Sequence, residues 1–219
     1  VEPVTVVLST GGWVRAARGH EVDPTSLLYK AGDEFLSAAR GKTNQPAIFF
    51  DTGGRSYSLL AHTLASARGH GEPLTGKLTP SNGARFLSVV MGLPNQKMLL
   101  ASDTGYGFVT DIANLVTKNT KGKAMLTVPR GSEPLPPIYV NNYETASLAA
   151  ITTEGYLLVI PVRVLPELPK GKGNKIIHIP PASFKKREEY VNLLEIIPEG
   201  ATIKINAGKQ SVRFTPANI

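Results

Sequence analysis

Cysteine is absent from this 219-residue chain, and aromatic residues make up only 7% of it. Without cysteine there is no disulfide framework, no thiolate metal site and no cysteine nucleophile. The absence also fits a reducing compartment. Long apolar runs are missing too. The most apolar stretch, residues 156–164, is broken by Pro161 and Arg163 and falls well short of the ~18 residues of a membrane span. No signal-peptide pattern opens the chain. Its first residue is Val1 rather than Met, as expected of a piece of a longer protein. Acidic residues are also scarce: 17 Asp and Glu stand against 24 Lys and Arg, a formal net charge of +7 with a pI near 9.6. That balance points to a polyanionic partner, the alternative being a protein that carries excess lysine for solubility.

Apolar residues account for 42% of the chain, enough for a globular core without staples. The 21 Gly and 17 Pro make it turn-rich, yet they follow no short period, which excludes collagen and low-complexity readings. They do follow a long one. Five segments, residues 4–14, 47–57, 98–109, 148–159 and 202–214, each read as a β-rich run, a polar turn containing Gly, and a second β-rich run. This is hairpin chemistry. The last turn glycines, Gly12, Gly54, Gly105, Gly155 and Gly208, are spaced by 42, 51, 50 and 53 residues. A period near fifty with several strands per unit predicts radial β-blades. Further runs at residues 86–90, 137–140 and 193–197 bring each unit to about four strands. The expectation is one all-β domain over residues 1–219, with units near 1–44, 45–95, 96–144, 145–198 and 199–219, the last closing with the N-terminal region. Residues 61–67 and 111–118 could each form one or two helical turns. The mixed-charge segment 185–189 reads as a solvated loop or turn.

A second landmark recurs between the hairpins, a basic residue followed by Gly. Arg68-Gly69-His70-Gly71, Lys121-Gly122-Lys123 and Lys170-Gly171-Lys172-Gly173 align on Gly71, Gly122 and Gly173, 51 residues apart each time, and Arg18-Gly19-His20 precedes Arg68-Gly69-His70 by 50. A cation beside Gly suits phosphate: glycine permits close approach and outward N–H groups, and Lys or Arg releases counterions from a duplex. The competing reading gives Gly to turn geometry and Lys to solvation. Four copies in register on a +7 chain favour the first. The candidate DNA-contacting residues are Arg15, Arg18, Arg40, Lys42, Arg68, Lys77, Lys118, Lys121, Lys123, Lys170, Lys172 and Lys175. A belt of such cations predicts sequence-independent duplex binding with bending, because backbone contacts position DNA without reading it. Few aromatic residues interleave the motif, which disfavours single-strand stacking.

Other motifs carry less. Gly71-x4-Gly76-Lys77 imitates a P-loop, but Leu78 replaces the Ser or Thr and Pro73 sits inside it. His20, His62, His70 and His178 have no metal-site spacing, and no metal site is expected. Asp51, Asp103 and Glu154 fall in equivalent turns, where turn chemistry explains them. Trp13 reads as strand packing.

Gly12-Trp13-Val14-Arg15-Ala16-Ala17-Arg18-Gly19-His20, Tyr29-Lys30-Ala31-Gly32-Asp33, Ala101-Ser102-Asp103-Thr104-Gly105-Tyr106-Gly107-Phe108 and Lys170-Gly171-Lys172-Gly173-Asn174-Lys175-Ile176-Ile177 resemble the C-terminal domain of the ParC-type polypeptide of bacterial DNA topoisomerase IV, over nearly the whole chain. The resemblance implies a five-bladed β-pinwheel, propeller-like, with four-stranded blades that exchange strands, in a ring that is sometimes broken. It implies duplex DNA binding and bending beside the core of a type IIA topoisomerase, aiding transport-segment selection and topology discrimination in decatenation and supercoil relaxation during chromosome segregation. The implied partners are duplex DNA, the N-terminal catalytic part of the same polypeptide, and a separate ATPase polypeptide in an A2B2 heterotetramer, with the isolated domain a monomer. ATP and Mg belong to the full enzyme and no cofactor to this domain. The cleaving tyrosine would lie outside this chain, and the implied location is the bacterial cytoplasm and nucleoid, the full enzyme being at most peripheral to the inner membrane. The related DNA gyrase domain carries a Gln-Arg-Arg-Gly-Gly-Lys-Gly box, of which Pro169-Lys170-Gly171-Lys172-Gly173 is a distant echo; this argues for bending over wrapping. A protein-binding propeller is the other alternative, although WD-type signatures are absent. An enzyme built on a propeller's channel would need clustered acidic or metal-ligating residues in equivalent strands, and none stands out.

Overall fold

The computed structural model describes residues 1–207 and 210–214. The fifth turn glycine, Gly208, with Lys209 and residues 215–219, lies outside the described residues. The strands run in chain order as β1 (Pro3–Ser9), β2 (Trp13–Arg18), β3 (Phe35–Lys42), β4 (Pro46–Asp51), β5 (Arg55–Leu60), β6 (Glu72–Pro73), β7 (Phe86–Val90), β8 (Lys97–Ser102), β9 (Tyr106–Asp111), β10 (Lys123–Ala124), β11 (Ile138–Val140), β12 (Ser147–Thr152), β13 (Leu157–Pro161), β14 (Asn174–Lys175), β15 (Val191–Ile197), β16 (Ile203–Ala207) and β17 (Gln210–Phe214). Among the described residues helix is confined to single turns, among them α1 (Ile112–Leu115), α2 (Pro181–Lys185) and a 3-10 turn at Ala61–Thr63. These fall within or beside the segments where short helical turns are expected.

The sheets have orders β3-β1-β2-β6, β10-β5-β4-β7, β11-β8-β9-β14, β13-β12-β15 and β16-β17. Each of the first four is built on a hairpin whose turn ends in a glycine of positive φ: Gly12, Gly54, Gly105 or Gly155. The pairing register slips at the same place in three of them, between Leu8 and Ser9, Phe50 and Asp51, and Ile151 and Thr152. A bulge there twists the hairpin end away from its flanking strand. The fourth strand of a sheet comes from later in the chain. β6 pairs with β2 although β3, β4 and β5 intervene, and β10 with β5 and β14 with β9 repeat the scheme. Every exchanged strand directly follows a basic-glycine motif.

The expectation of five four-stranded blades is therefore corrected to four blades. A blade needs a hairpin with flanking strands, and β16–β17 is a hairpin alone among the described residues. The fourth sheet has three strands.

Two compact units divide these sheets. One comprises Val1–Asn95 and Asp111–Thr127, the other Gln96–Thr110 and Val128–Ile219. Asp111–Thr127 belongs to the first because β10 adds to β5 there. Its core gathers Val6, Leu8, Phe49, Tyr57, Leu74 and Met91. Phe86 meets Phe49 and Tyr57 edge-on, with centroids 6.3 and 5.3 Å apart, a favoured aromatic geometry. The second core gathers Leu99, Leu148, Val162, Ile176 and Val191.

Carboxylates hold the hairpin turns. Asp51 is fully buried yet satisfied: it accepts from the Gly53 and Arg55 amides at 2.9 and 3.0 Å and from the Tyr57 hydroxyl at 2.7 Å. Burial pushes the Tyr57 hydroxyl well above its ordinary range, and the adjacent Asp51 carboxylate adds to this. Asp103 is 3% exposed, accepts from the Glu133 amide at 3.0 Å and forms an ion pair with Arg187 at 2.8 Å. The Asp51 contacts match the turn-chemistry reading, whereas the Asp103 carboxylate bonds residues outside its own turn and Glu154 is exposed.

Asp33 serves the first turn from outside it, accepting from Ser9 Oγ at 2.6 Å, Thr10 Oγ1 at 2.8 Å and the Gly11 amide at 2.8 Å. Partial desolvation alone would raise its carboxyl. These hydrogen bonds and one from the Glu34 amide outweigh it and hold the group at about 2, below the ordinary 3.8. A depressed folded value means the stabilisation is complete above about pH 4 and is lost as pH falls toward 2. Asp33→Asn is expected to cost about 1 kcal/mol at pH 7, given the solvent contact of the group. The deficit relative to wild type should shrink below about pH 3. Denaturant titrations at both pH values check this; a deficit unchanged at low pH overturns it.

Candidate nucleic-acid interface

The basic-glycine motifs are anchored by close backbone approach. A Cβ on Gly71 would meet Val14 O at 2.3 Å, one on Gly122 the Tyr57 ring at 2.7 Å and Ser56 O at 3.0 Å, and one on Gly173 the carbonyl oxygen of Gly107 at 2.0 Å. The glycine thus lets each exchanged strand lie against the second hairpin strand of another repeat. The turn-geometry reading accounts for the glycine. The cations beside it are a separate matter, settled by where each side chain goes.

In the first unit, Arg15 departs from expectation. It is 3% exposed, its Nη1 donates to Gly69 O at 2.8 Å, and its guanidinium lies 4.6 Å from the Tyr29 ring centre. Its other terminal nitrogen is buried without a hydrogen-bond partner. It is removed from the candidate surface set, because a buried guanidinium bonded to a main-chain carbonyl cannot meet a phosphate. Its function is to brace the Arg68-Gly69 loop. Lys77 is also engaged: its amine donates to Thr63 O at 2.7 Å and pairs with Glu72 at 3.0 Å, which disposes of the P-loop reading. Lys123 donates to Asn114 O at 2.6 Å and is half-buried. Arg18, Arg40, Lys42, Lys118 and Lys121 are exposed, as is Arg68 within its loop. The register places Val4 opposite both Arg18 and Gly41, so Arg40 and Lys42 share one face of the sheet and Arg18 the other.

In the second unit, Lys170, Lys172 and Lys175 are all exposed. Lys172 is held with its amine 4.0 Å over the Tyr106 ring, and Lys175 sits opposite Tyr106 in the β14–β9 register. These three are brought together on one exchanged strand and its loop.

The sequence reading missed Arg55. Its Nε donates to Lys121 O at 3.1 Å and its Nη2 to Gly122 O at 2.8 Å. It therefore braces the second motif as Arg15 braces the first, and its position just past the turn glycine was the available signal. Arg130 and Lys185 were also missed. They line a groove with Lys172 and Lys175; Arg130-Gly131 is a basic-glycine pair that falls off the fifty-residue period. Trp13 is half-buried, with the Lys30 amine 3.7 Å from its ring centre. His20 Nε2 lies 2.8 Å from Gly41 O.

No family model matches the chain. It is 53% identical over 211 residues to the DNA topoisomerase 4 ParC-type polypeptide of Pseudomonas aeruginosa, covering 96% of this chain and 28% of that protein. The chain thus spans under a third of the curated relatives it matches. A solved structure, that of the E. coli ParC C-terminal domain, superposes with a TM-score of 0.91 at 48% identity, covering 99% of this chain and 87% of that one. The DNA gyrase A C-terminal domain shares the fold at a TM-score of 0.64 and 13% identity, covering 90% of this chain and 66% of that one. The propeller-like all-β architecture, the exchanged strands and the near-complete match at 48% identity lead to one conclusion: the chain belongs to the family of C-terminal domains of ParC, a polypeptide of DNA topoisomerase IV.

Proposed function

We propose that this domain binds duplex DNA without regard to sequence and bends it, as a non-catalytic part of a type IIA topoisomerase. The observation that carries the reading is the recurrence of exposed cations, Arg68, Lys121 and Lys170, one to three residues before the anchored glycines Gly71, Gly122 and Gly173. Arg15 and Arg55 bind the carbonyls of two of these loops, which turns main-chain acceptors away from an approaching phosphate. Several such contacts offset a bending cost of order 1–6 kcal/mol. In the whole enzyme the domain aids transport-segment selection in decatenation and relaxation. The cleaving tyrosine, ATP and Mg belong to other parts of an A2B2 assembly in the bacterial cytoplasm.

Titration with a long random duplex at several salt concentrations tests this. With about 6 phosphate contacts, affinity is expected to fall roughly a thousandfold from 50 to 200 mM salt. A flat salt dependence, or no binding at low salt, sinks the reading.

A further inference from the structure

Within the second unit, a groove of about 390 Å³ is lined by Thr104, Tyr106, Pro129, Ile177, Ile179 and Phe184 and bordered by Arg130, Lys172, Lys175 and Lys185. No carboxylate lines it. The adjoining groove, by contrast, carries Glu154, Glu188 and Glu189. Lys172, Lys175 and Lys185 reach solvent, whereas Ile177 and Ile179 are only 7% and 8% exposed. A belt that only meets phosphates has no use for an apolar floor beneath its lysines. The cavity lies at the lower end of small-ligand clefts, too small for more than one flat group with its charge.

We infer that this groove binds a single nucleotide, its base against Phe184, Ile177 and Ile179 and its phosphate on Arg130 and Lys185. Lys172, packed over Tyr106 at 4.0 Å, is fixed at the groove's edge at little entropic cost. Arg187 lies over Tyr190 at 4.0 Å and near the Phe184 ring at 5.4 Å, and its ion pair to Asp103 at 2.8 Å ties the α2 segment to the turn that bears Thr104. The floor is thereby pre-organised. Stacking on apolar and aromatic side chains tolerates any base and requires it to be unpaired. The nucleotide has two chemical sources, an unstacked position in DNA or a free nucleotide. The first rests on the duplex-binding reading.

The test uses the 219-residue chain and 2-aminopurine, whose fluorescence falls on stacking. Three probes are compared: a duplex with one bulged 2-aminopurine, the same duplex fully paired, and free 2-aminopurine deoxynucleoside monophosphate. Binding of the bulged duplex about tenfold tighter than the paired one, with quenching, is expected. Arg130→Ala with Lys185→Ala should abolish that preference, and Phe184→Leu should weaken the quench while paired-duplex binding persists. Quenching of the free nucleotide, lost in the double variant, also supports the groove and assigns the second source. Equal affinity for bulged and paired duplexes, with no response from the free nucleotide, overturns the inference while leaving duplex binding standing. Absence of duplex binding sinks the parent reading and leaves the free-nucleotide arm to decide the groove.

Discussion

Gly173→Ala is expected to destabilise the domain by about 4 kcal/mol, the sum of left-handed backbone strain and forced displacement of packed backbone. Gly173 has φ +82, and a Cβ there would lie 2.0 Å from Gly107 O and 2.2 Å from its carbonyl carbon. Neither atom can move alone, because Gly107 is paired with Asn174 in the β9–β14 ladder. Gly32 is the matched control. It has the same φ of +82 and nothing within 4 Å, so Gly32→Ala carries the backbone cost alone, about 1–2 kcal/mol. The difference between the two variants isolates the close approach. Calorimetry or denaturant melts read it directly, and equal losses would show that steric contact at the exchanged strand is not what requires glycine. Loss of β14 would also remove the apolar anchors that follow it, Ile176 and Ile177, both part of the second core.

How much of this was legible follows from what is local. The hairpins were readable because β-branched runs and turn glycines lie within a dozen residues of one another. The basic-glycine period was readable because it recurs at 51. The identity of each exchanged partner was not. β6 is two residues long and holds Pro73, so nothing in its own composition marks it as a strand; pairing with β2 gives it that character. The count of five blades failed for the same reason. A hairpin is a local event, whereas a blade needs flanking strands from elsewhere in the chain, and β16–β17 has none among the described residues.

Arg15 shows how residue type misleads at the site. By sequence it is one more cation near Arg18. In the fold it is buried on the face of β2 opposite Val14, since the Arg68-Gly69 loop and Tyr29 cover β2 at that point. Burial of a guanidinium is tolerable only with acceptors and an aromatic face to replace water, and those come from residues 14 and 54 positions away. Arg55 reaches the same solution at the next motif. Charge counts along the chain therefore overstate the surface available to DNA, which falls to the cations left exposed, Lys170, Lys172 and Lys175 clustered among them.

That argument concentrates the largest expected loss of binding in one place. Reversal of Lys170, Lys172 and Lys175 to Glu should weaken random-duplex affinity by about a hundredfold or more near 100 mM salt and halve the salt slope, if these are three of about six phosphate contacts. All three are exposed, so stability should fall only by the lost Lys172–Tyr106 contact, about 0.5–1 kcal/mol. The contrast is Lys77→Glu with Lys123→Glu. Their amines are bonded to Thr63 O and Asn114 O, and their reversal places carboxylates against carbonyl oxygens. That pair should lower stability more than the triple variant does and leave the salt slope nearly unchanged. Binding isotherms at three salt concentrations, paired with melts, separate the two outcomes. A folded triple variant with unchanged affinity would remove this strand from the DNA path and return the interface to Arg40, Lys42, Arg68 and Lys121 of the first unit.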